Sequence, residues 1–290
     1  MNPMNDVAVI GLGAMGVTLA RLFLRSGRRV TVWNRSEDKA RPLLAEGATL
    51  AASAADAVRS SRLAVMCVYD YHAARAIWAM EGVAAALDGR TLVHLSTGSP
   101  EDARRALAWA REHGGRYLDG AIQAAPSQMG QPDTPVLISG DASTYAAVAE
   151  VLKVLAGNIV YLGDQIDAAA TMDLATLSYV YGAFAGFVHG ARLAESQGLD
   201  VARFGQIVNA ISPSFGAFFQ HEAAVIQSGD YRITESPLRI SIEATQRILD
   251  SSRAAGINTD VPALFTDLLR RAGQAGLGNE ELAALIKVLR

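Results

Sequence analysis

Val7-Ala8-Val9-Ile10-Gly11-Leu12-Gly13-Ala14-Met15-Gly16-Val17 is the stretch on which the reading of this chain turns. Apolar, largely β-branched residues run straight into glycines spaced Gly11-x-Gly13-x-x-Gly16. A periodic segment then continues to Arg25 with Leu19, Leu22 and Phe23 on one face. Strand, glycine turn and helix in this order form the context in which the spacing points to a dinucleotide. Gly11 permits the tight turn, Gly13 lets the backbone approach a pyrophosphate, and Gly16 lets helix and strand lie close. The phosphates would rest on the unpaired N–H groups of the helix start, which Leu12, Ala14 and Met15 help to form.

Outward from this motif, short β-rich runs alternate with helical patterns as far as Gly163. Strands are expected at Arg29–Trp33, Leu63–Val68, Thr91–Leu95, Tyr117–Ile122, Val136–Ser139 and Ile159–Leu162. Helices fall between them, at 36–46, 71–80, 100–113 and up to Leu155. Such alternation implies an α/β domain with a mostly parallel sheet covered on both faces. After Gly163 the strands stop. Residues 167–198 lack proline and carry the apolar content of one long helix. Further helical runs are expected near 201–211, 216–227, 237–255, 261–273 and 279–289. Ser236-Pro237 and Asn279 read as helix starts, and Gly198, Gly229 and Gly256 as stops. The expected division is therefore a cofactor domain at 1–163 and, at 164–290, a long interdomain helix with an all-helical C-terminal domain.

Within the long helix Gly182, Gly186 and Gly190 recur every fourth residue, each costing about 1 kcal/mol relative to alanine. They share a stripe where another helix can come close, either within one subunit or, as we prefer, across a homodimer through helix 167–198.

Composition narrows the function classes. The 290 residues are half hydrophobic, 19% charged and carry a net charge of −3, so nothing points to nucleic acid or a membrane surface. No apolar run reaches spanning length, and Met1–Asp6 lacks the basic start of a signal peptide, which together suggest a cytoplasmic protein. Cys67 is the single cysteine and is expected to be a buried, inert thiol.

At the end of the second strand, NAD-selective sites place an acidic residue that holds the ribose hydroxyls. Here the chain reads Trp33-Asn34-Arg35-Ser36. Arg35 offers a planar charged fork for a phosphate, Ser36 a donor, and Lys39 further charge one helical turn later. The competing reading leaves Arg35 to solvent and gives the ribose to Glu37 or Asp38, whose place in a first helical turn the dipole already explains. NADPH is the expected cofactor. Val68, at the end of the Leu63–Val68 strand, completes the expected cofactor contacts. Thr97 follows another strand, where open α/β sheets bind ligands.

The glycine motif, Asn34-Arg35-Ser36, Leu95-Ser96-Thr97-Gly98-Ser99-Pro100 and the long helix resemble, in that order, the β-hydroxyacid dehydrogenase superfamily. That superfamily joins a Rossmann domain to a helical C-terminal domain. Leu92–Pro100, Tyr117-Leu118-Asp119-Gly120-Ala121-Ile122, the glycine-spaced helix around Tyr181–His189 and the ending Ala283–Arg290 resemble its imine reductases and reductive aminases. The resemblance covers nearly the whole chain. Hydroxyacid dehydrogenases of the superfamily carry a catalytic lysine on the long helix. The matching position here is Asp173, and of the 26 basic residues only Lys39, Lys153 and Lys287 are lysines. Imine reductases commonly have Asp or Tyr there and an aromatic residue two turns on, a place that Tyr181 fits better than Tyr179.

The chemistry agrees with the exchange. Carbonyl reduction develops negative charge on oxygen, which a cation stabilises, whereas iminium reduction consumes positive charge on nitrogen. Asp173 and Tyr181 lie about 12 Å apart along the axis and about 80° apart in rotation, close enough to border one elongated pocket. A proton-donating Asp173 needs burial to raise its pKa. The expected activity is NADPH-dependent reduction of small-molecule imines with Asp173, Tyr181 and Thr97 as catalytic residues. The alternatives are a hydroxyacid dehydrogenase or aldehyde reductase, or a non-catalytic NADPH-binding protein. His94 and His189 read as structural, with no metal spacing around them. The loop Gln123–Gly130 departs from both families, so no substrate contact is assigned to it. Ser212–Phe219 is expected to face the pocket.

Overall fold

The computed structural model describes residues 5–290. Met1–Met4, part of the segment read above as lacking a signal-peptide pattern, lie outside the described residues. The first strand, β1 (Val7–Ile10), is buried along its length, and its side chains alternate between two cores. Val7 and Val9 pack with Leu19 and Phe23 of helix α1 (Ala14–Arg25) on one face of the sheet. Ala8 and Ile10 face the opposite core, with Met66 and Trp78. A strand covered on both sides must be apolar at every position, which is what β1 shows.

The chain continues through β2 (Val30–Trp33), α2 (Arg41–Ala45), β3 (Thr49–Leu50), α3 (Ala54–Arg59), β4 (Leu63–Met66), α4 (Tyr71–Trp78) and α5 (Val83–Ala86). Then follow β5 (Thr91–His94), α6 (Pro100–Glu112), β6 (Arg116–Ile122), β7 (Pro135–Ser139), α7 (Ala142–Leu152) and β8 (Asn158–Tyr161). The strands form one sheet in the order β3-β2-β1-β4-β5-β6-β7-β8. All neighbours are parallel except β6 and β7, which run antiparallel. The run β3-β2-β1-β4-β5-β6 is the doubly wound order of a Rossmann domain, with connections reversing beside β1. The carboxyl ends of β1, β2, β4 and β5 therefore gather along one edge of the sheet. The short β3, α3 and α5 escape the sequence reading, since two to six residues cannot display a period.

Helix starts are set by side chains. Asp70 accepts the Ala73 amide at 2.7 Å, and Ser99 and Asp102 close a capping box around Pro100.

The long helix α8 spans Ala168–Ser196. By contact density the chain divides into two compact units, residues 1–178 and 179–290, so the division falls inside α8. In the second unit α8 continues into α9 (Val201–Ser228), α10 (Leu238–Ala254) and α11 (Asp260–Gln274). Gly198, Gly229 and Gly256 adopt positive φ at the helix ends, as read from the sequence. This unit's core gathers Val225, Tyr231, Leu238 and Leu269 around the closing segment.

Two sequence expectations fail here. Pro213 does not separate two helices but lies inside α9. Beside it the Ser212 hydroxyl donates to the Val208 carbonyl and the Ser214 hydroxyl to that of Ile211, each at 2.7 Å. Asn279 does not start a helix. It ends a 3₁₀ turn, after which Glu281 runs extended beside Pro237, and a second 3₁₀ segment covers Leu282–Val288. The Glu281 carboxylate accepts the backbone amides of Thr234, Glu235 and Ser236, which hold its pKa down at about 2 against its burial. This long-range clamp leaves no local sequence trace. Among the described residues no helix is long and apolar enough to cross a membrane.

Candidate active site

The glycine turn after β1 is built by contacts that admit no side chain. Gly11 has φ +95°, and a Cβ there would collide with the Cys67 carbonyl. A Cβ on Gly16 would collide with the Gly11 carbonyl, whereas one on Gly13 would meet nothing within 4 Å. Gly11 and Gly16 are thus needed by the fold, and Gly13 is needed by whatever approaches from outside. Helix α1 starts at this open edge with no side-chain cap and no acidic residue in its first turn. Its free N–H groups and positive end are left for an anion. We predict that Gly13→Ala keeps its melting temperature but weakens NADPH binding at least tenfold, about 1.4 kcal/mol. Gly16→Ala is expected to lower the melting temperature outright, and thermal melts with fluorescence titrations of NADPH separate the two.

A cavity of about 720 Å³ opens above this turn. Its lining includes every residue from Gly11 to Gly16, together with Asn34, Arg35, Ser36, Lys39 and Val68. The Asn34 side-chain oxygen accepts the Leu12 amide at 2.9 Å, which ties the end of β2 to the glycine turn. Arg35, Ser36 and Lys39 stand exposed at the rim. Asp38 pairs with Arg41 at 2.6 Å, whereas neither Arg35 nor Lys39 has an ion-pair partner among the described residues. The rim thus offers two uncommitted cations where a ribose phosphate would lie, and the residues present fit NADPH. Cys67 is buried beside the turn, and burial pushes its thiol up to about 11, so it is the inert group expected.

Behind the strand ends runs a chain of buried polar groups. The Val68 amide donates to the Ser96 hydroxyl at 2.9 Å, and Ser96 meets His94 Nε2 at 2.9 Å. His94 Nδ1 lies 3.2 Å from the Tyr117 hydroxyl, which donates to Asp119 at 3.1 Å. Tyr71 donates to the same Asp119 oxygen. One assignment of protons satisfies every member, with His94 neutral and each hydroxyl donating toward the carboxylate. Burial holds His94 down at about 3, so it stores no charge and stays structural. Asp119 is 2% exposed and burial raises it to about 7, against the two tyrosine hydrogen bonds that lower it.

Asp173 lies in the second turn of α8 and is 4% exposed. Desolvation raises its pKa, and the Gln123 side-chain amide offsets part of that rise. The same Gln123 amide donates to Thr176, one helical turn along. No cation pairs with Asp173 among the described residues, so its charge remains available. In the sequence Gln123 carries no signal, since a lone glutamine in a loop has no purpose until the fold sets it against α8. Asp119 was visible only as part of a resembling segment.

The remaining residues do not belong to the lining of this cavity. Thr97 follows β5, is exposed, and does not contribute to the cavity lining. Tyr181 belongs to the second unit and is 68% exposed, while Tyr179 packs edge-on against Phe219. Phe215 and Phe219, in the segment read as pocket-facing, are partly exposed on α9. On the glycine stripe, Gly190 receives the Phe204 ring of its own chain, while Gly182 and Gly186 face open space. His189 bonds the Ser252 hydroxyl at 3.0 Å, a structural role.

Residues 6–163 match the model of the NAD binding domain of 6-phosphogluconate dehydrogenase. Residues 165–290 match that of the C-terminal domain of NADPH-dependent reductive aminase-like proteins. An NADPH-dependent reductive aminase of Aspergillus oryzae is 30% identical over 97% of this chain and 96% of its own length. An imine reductase from Myxococcus stipitatus, solved with NADP+, is 32% identical with a TM-score of 0.92, covering 98% of this chain and all of the other. A reductive aminase from Aspergillus terreus, solved with NADPH and ethyl levulinate, is 35% identical with a TM-score of 0.91, covering 99% and 100%. With the glycine cradle, the cationic rim and the buried aspartate in place, the chain belongs to the imine reductase and reductive aminase family.

Proposed function

We propose that this protein reduces C=N bonds with NADPH, converting imines and iminium ions to amines. The observation that carries the reading is Asp173, a buried carboxylate without a cationic partner among the described residues, in the unit that also holds the dinucleotide cradle. When bound, NADPH supplies a hydride from its nicotinamide ring. Gly11–Gly16 and the α1 N-terminus hold the pyrophosphate, Arg35, Ser36 and Lys39 hold the ribose phosphate, and Val68 flanks the cofactor.

Asp173 favours the protonated, electrophilic form of the imine, because an anion in a poorly solvated site stabilises positive charge on the adjacent nitrogen. Burial in turn lets Asp173 hold a proton at a higher pH than an exposed aspartate. Gln123 fixes the carboxylate by hydrogen bonding. Tyr181 positions the nitrogen from farther along α8, and Thr97 orients nicotinamide or substrate from the end of β5.

The functional division we propose is 1–163 for cofactor binding and 164–290 for the long helix and the helical substrate domain. We further propose a homodimer through the 167–198 helix. Supporting it, Val180, Tyr181, Phe184 and Val188 leave a large apolar surface on one helix, of a kind that marks association sites. The second subunit's helices would cover this surface. The cytoplasm, a reducing compartment, suits a chain with one cysteine.

Consumption of NADPH tests the reading. Cyclic imines of the pyrroline type are expected to support it. Oxidation of β-hydroxyacids with NADP and no response to imines would assign the chain to hydroxyacid chemistry. NADPH binding without turnover across imines and amine–ketone pairs would leave a binding protein.

A further inference from the structure

The C-terminal unit holds a cluster of metal-ligating side chains that imine reduction does not use. His221 and Glu222 lie on α9, and Glu281 opens the closing segment. One ring nitrogen of His221 and one carboxylate oxygen from each glutamate lie within 4.8 Å of one another. Adjacent residues of a helix do not share a face, so both side chains must lean toward Glu281 to meet.

The hydrogen bonds of the two glutamates leave particular lone pairs over. Glu281 is fully buried and Glu222 is 7% exposed. Glu281 Oε2 accepts the Thr234 and Glu235 amides and the Thr234 hydroxyl, which fills it. Its Oε1 accepts the Ser236 amide at 2.7 Å and keeps one lone pair. Glu222 Oε2 accepts the Ala283 amide at 2.7 Å, whereas Glu222 Oε1 is buried with no hydrogen-bond partner. A buried acceptor without a donor is costly, and a bound ion is one of the few remedies. No arginine or lysine pairs with either glutamate among the described residues. Lys287 of the same segment is engaged with Glu280 and lies 4.1 Å over the Tyr231 ring. His221 is partly exposed, which gives an ion a way in from solvent. The Thr234 hydroxyl stands 2.9 Å from His221 Nε2 and donates to Glu281, an outer contact of the kind that orients metal ligands.

We propose that His221, Glu222 and Glu281 bind a divalent transition-metal cation of the Zn²⁺ type, which fastens α9 to the closing segment. One imidazole nitrogen with two carboxylates suits Zn²⁺, whereas Mg²⁺ favours oxygen ligands alone. Ligand atoms around a tetrahedral zinc stand about 3.4 Å apart, so the three donors draw together by at most about 1.4 Å on binding. Water completes the coordination on the open side of His221. The ion has no step in the reduction. It crosslinks residues far apart in the chain, and binding therefore adds to the stability of the fold.

The test titrates chelator-stripped, full-length protein with Zn²⁺ against a chromophoric competitor and follows its melting temperature. One ion per chain is expected, with a melting temperature that rises by about 4 °C or more as the site fills. Glu222→Gln keeps an acceptor for the Ala283 amide but loses the charge. It is expected to weaken Zn²⁺ binding about 100-fold or more and to abolish the metal-dependent rise. His221→Asn is expected to do the same by removing the nitrogen donor. NADPH affinity stays unchanged in both, since neither residue lines the cofactor cavity. Absence of stoichiometric Zn²⁺ binding, a melting temperature that Zn²⁺ leaves flat, or binding that survives in E222Q and H221N would each overturn the proposal. If E222Q does not fold, undiminished binding in H221N overturns it equally. None of these results touches the imine-reducing reading, which NADPH consumption tests separately.

Discussion

Replacing Asp173 by asparagine is expected to lower kcat/KM for a weakly basic cyclic imine by about 10² to 10⁴-fold, the usual reach of a positioned acid or base. Asparagine keeps the shape and the contact with Gln123 but removes the charge. The NADPH dissociation constant should not move, because Asp173 is absent from the lining of the cofactor cavity. The size of the loss should track substrate basicity. An imine already protonated in water needs little help from an anion, so D173N should reduce strongly basic imines with a much smaller deficit. Steady-state kinetics across imines of graded basicity check this. An equal loss for all of them would mean that the aspartate acts on geometry alone.

The second large effect concerns cofactor choice. Arg35→Glu should weaken NADPH binding about 100-fold or more, while NADH binding holds or improves. Charge-assisted hydrogen bonds contribute about 1.5–3 kcal/mol each, and reversing the sign adds repulsion of the 2′-phosphate. Arg35 is exposed and without an ion-pair partner among the described residues, so its loss should leave the fold untouched. Competitive titrations of the two dinucleotides measure the switch. Equal weakening of both cofactors would return Arg35 to solvent and hand the ribose to Glu37 or Asp38.

Much of this protein is legible in its letters because the signals involved are local. An apolar strand that runs into three spaced glycines needs no distant partner to be recognised. The steric reason is confirmed in the collisions that side chains at positions 11 and 16 would cause. The alternation of β-rich and helical runs, the long helix from 168 to 196 and the absence of lysine from that helix are of the same kind. Together with the resemblance, they were enough to name the chemistry. Local signals misled at two places. Pro213 reads as a break but sits in a continuous helix, and Asn279 reads as a start but ends a turn just before Glu281, whose carboxylate holds the distant Thr234–Ser236 segment.

The electrostatics were out of reach of the letters. A pKa depends on what surrounds a group in space, and the groups around Asp119 come from α4, β5, β6 and α8, up to 54 positions away in the case of Asp173. Likewise Gln123 acquires a purpose only when its loop is folded against Asp173 and Thr176. Residue types and their spacing state which chemistry is available. Burial and the hydrogen-bond partners that the fold supplies decide at what pH it operates, because both are properties of packed space rather than of order along a chain.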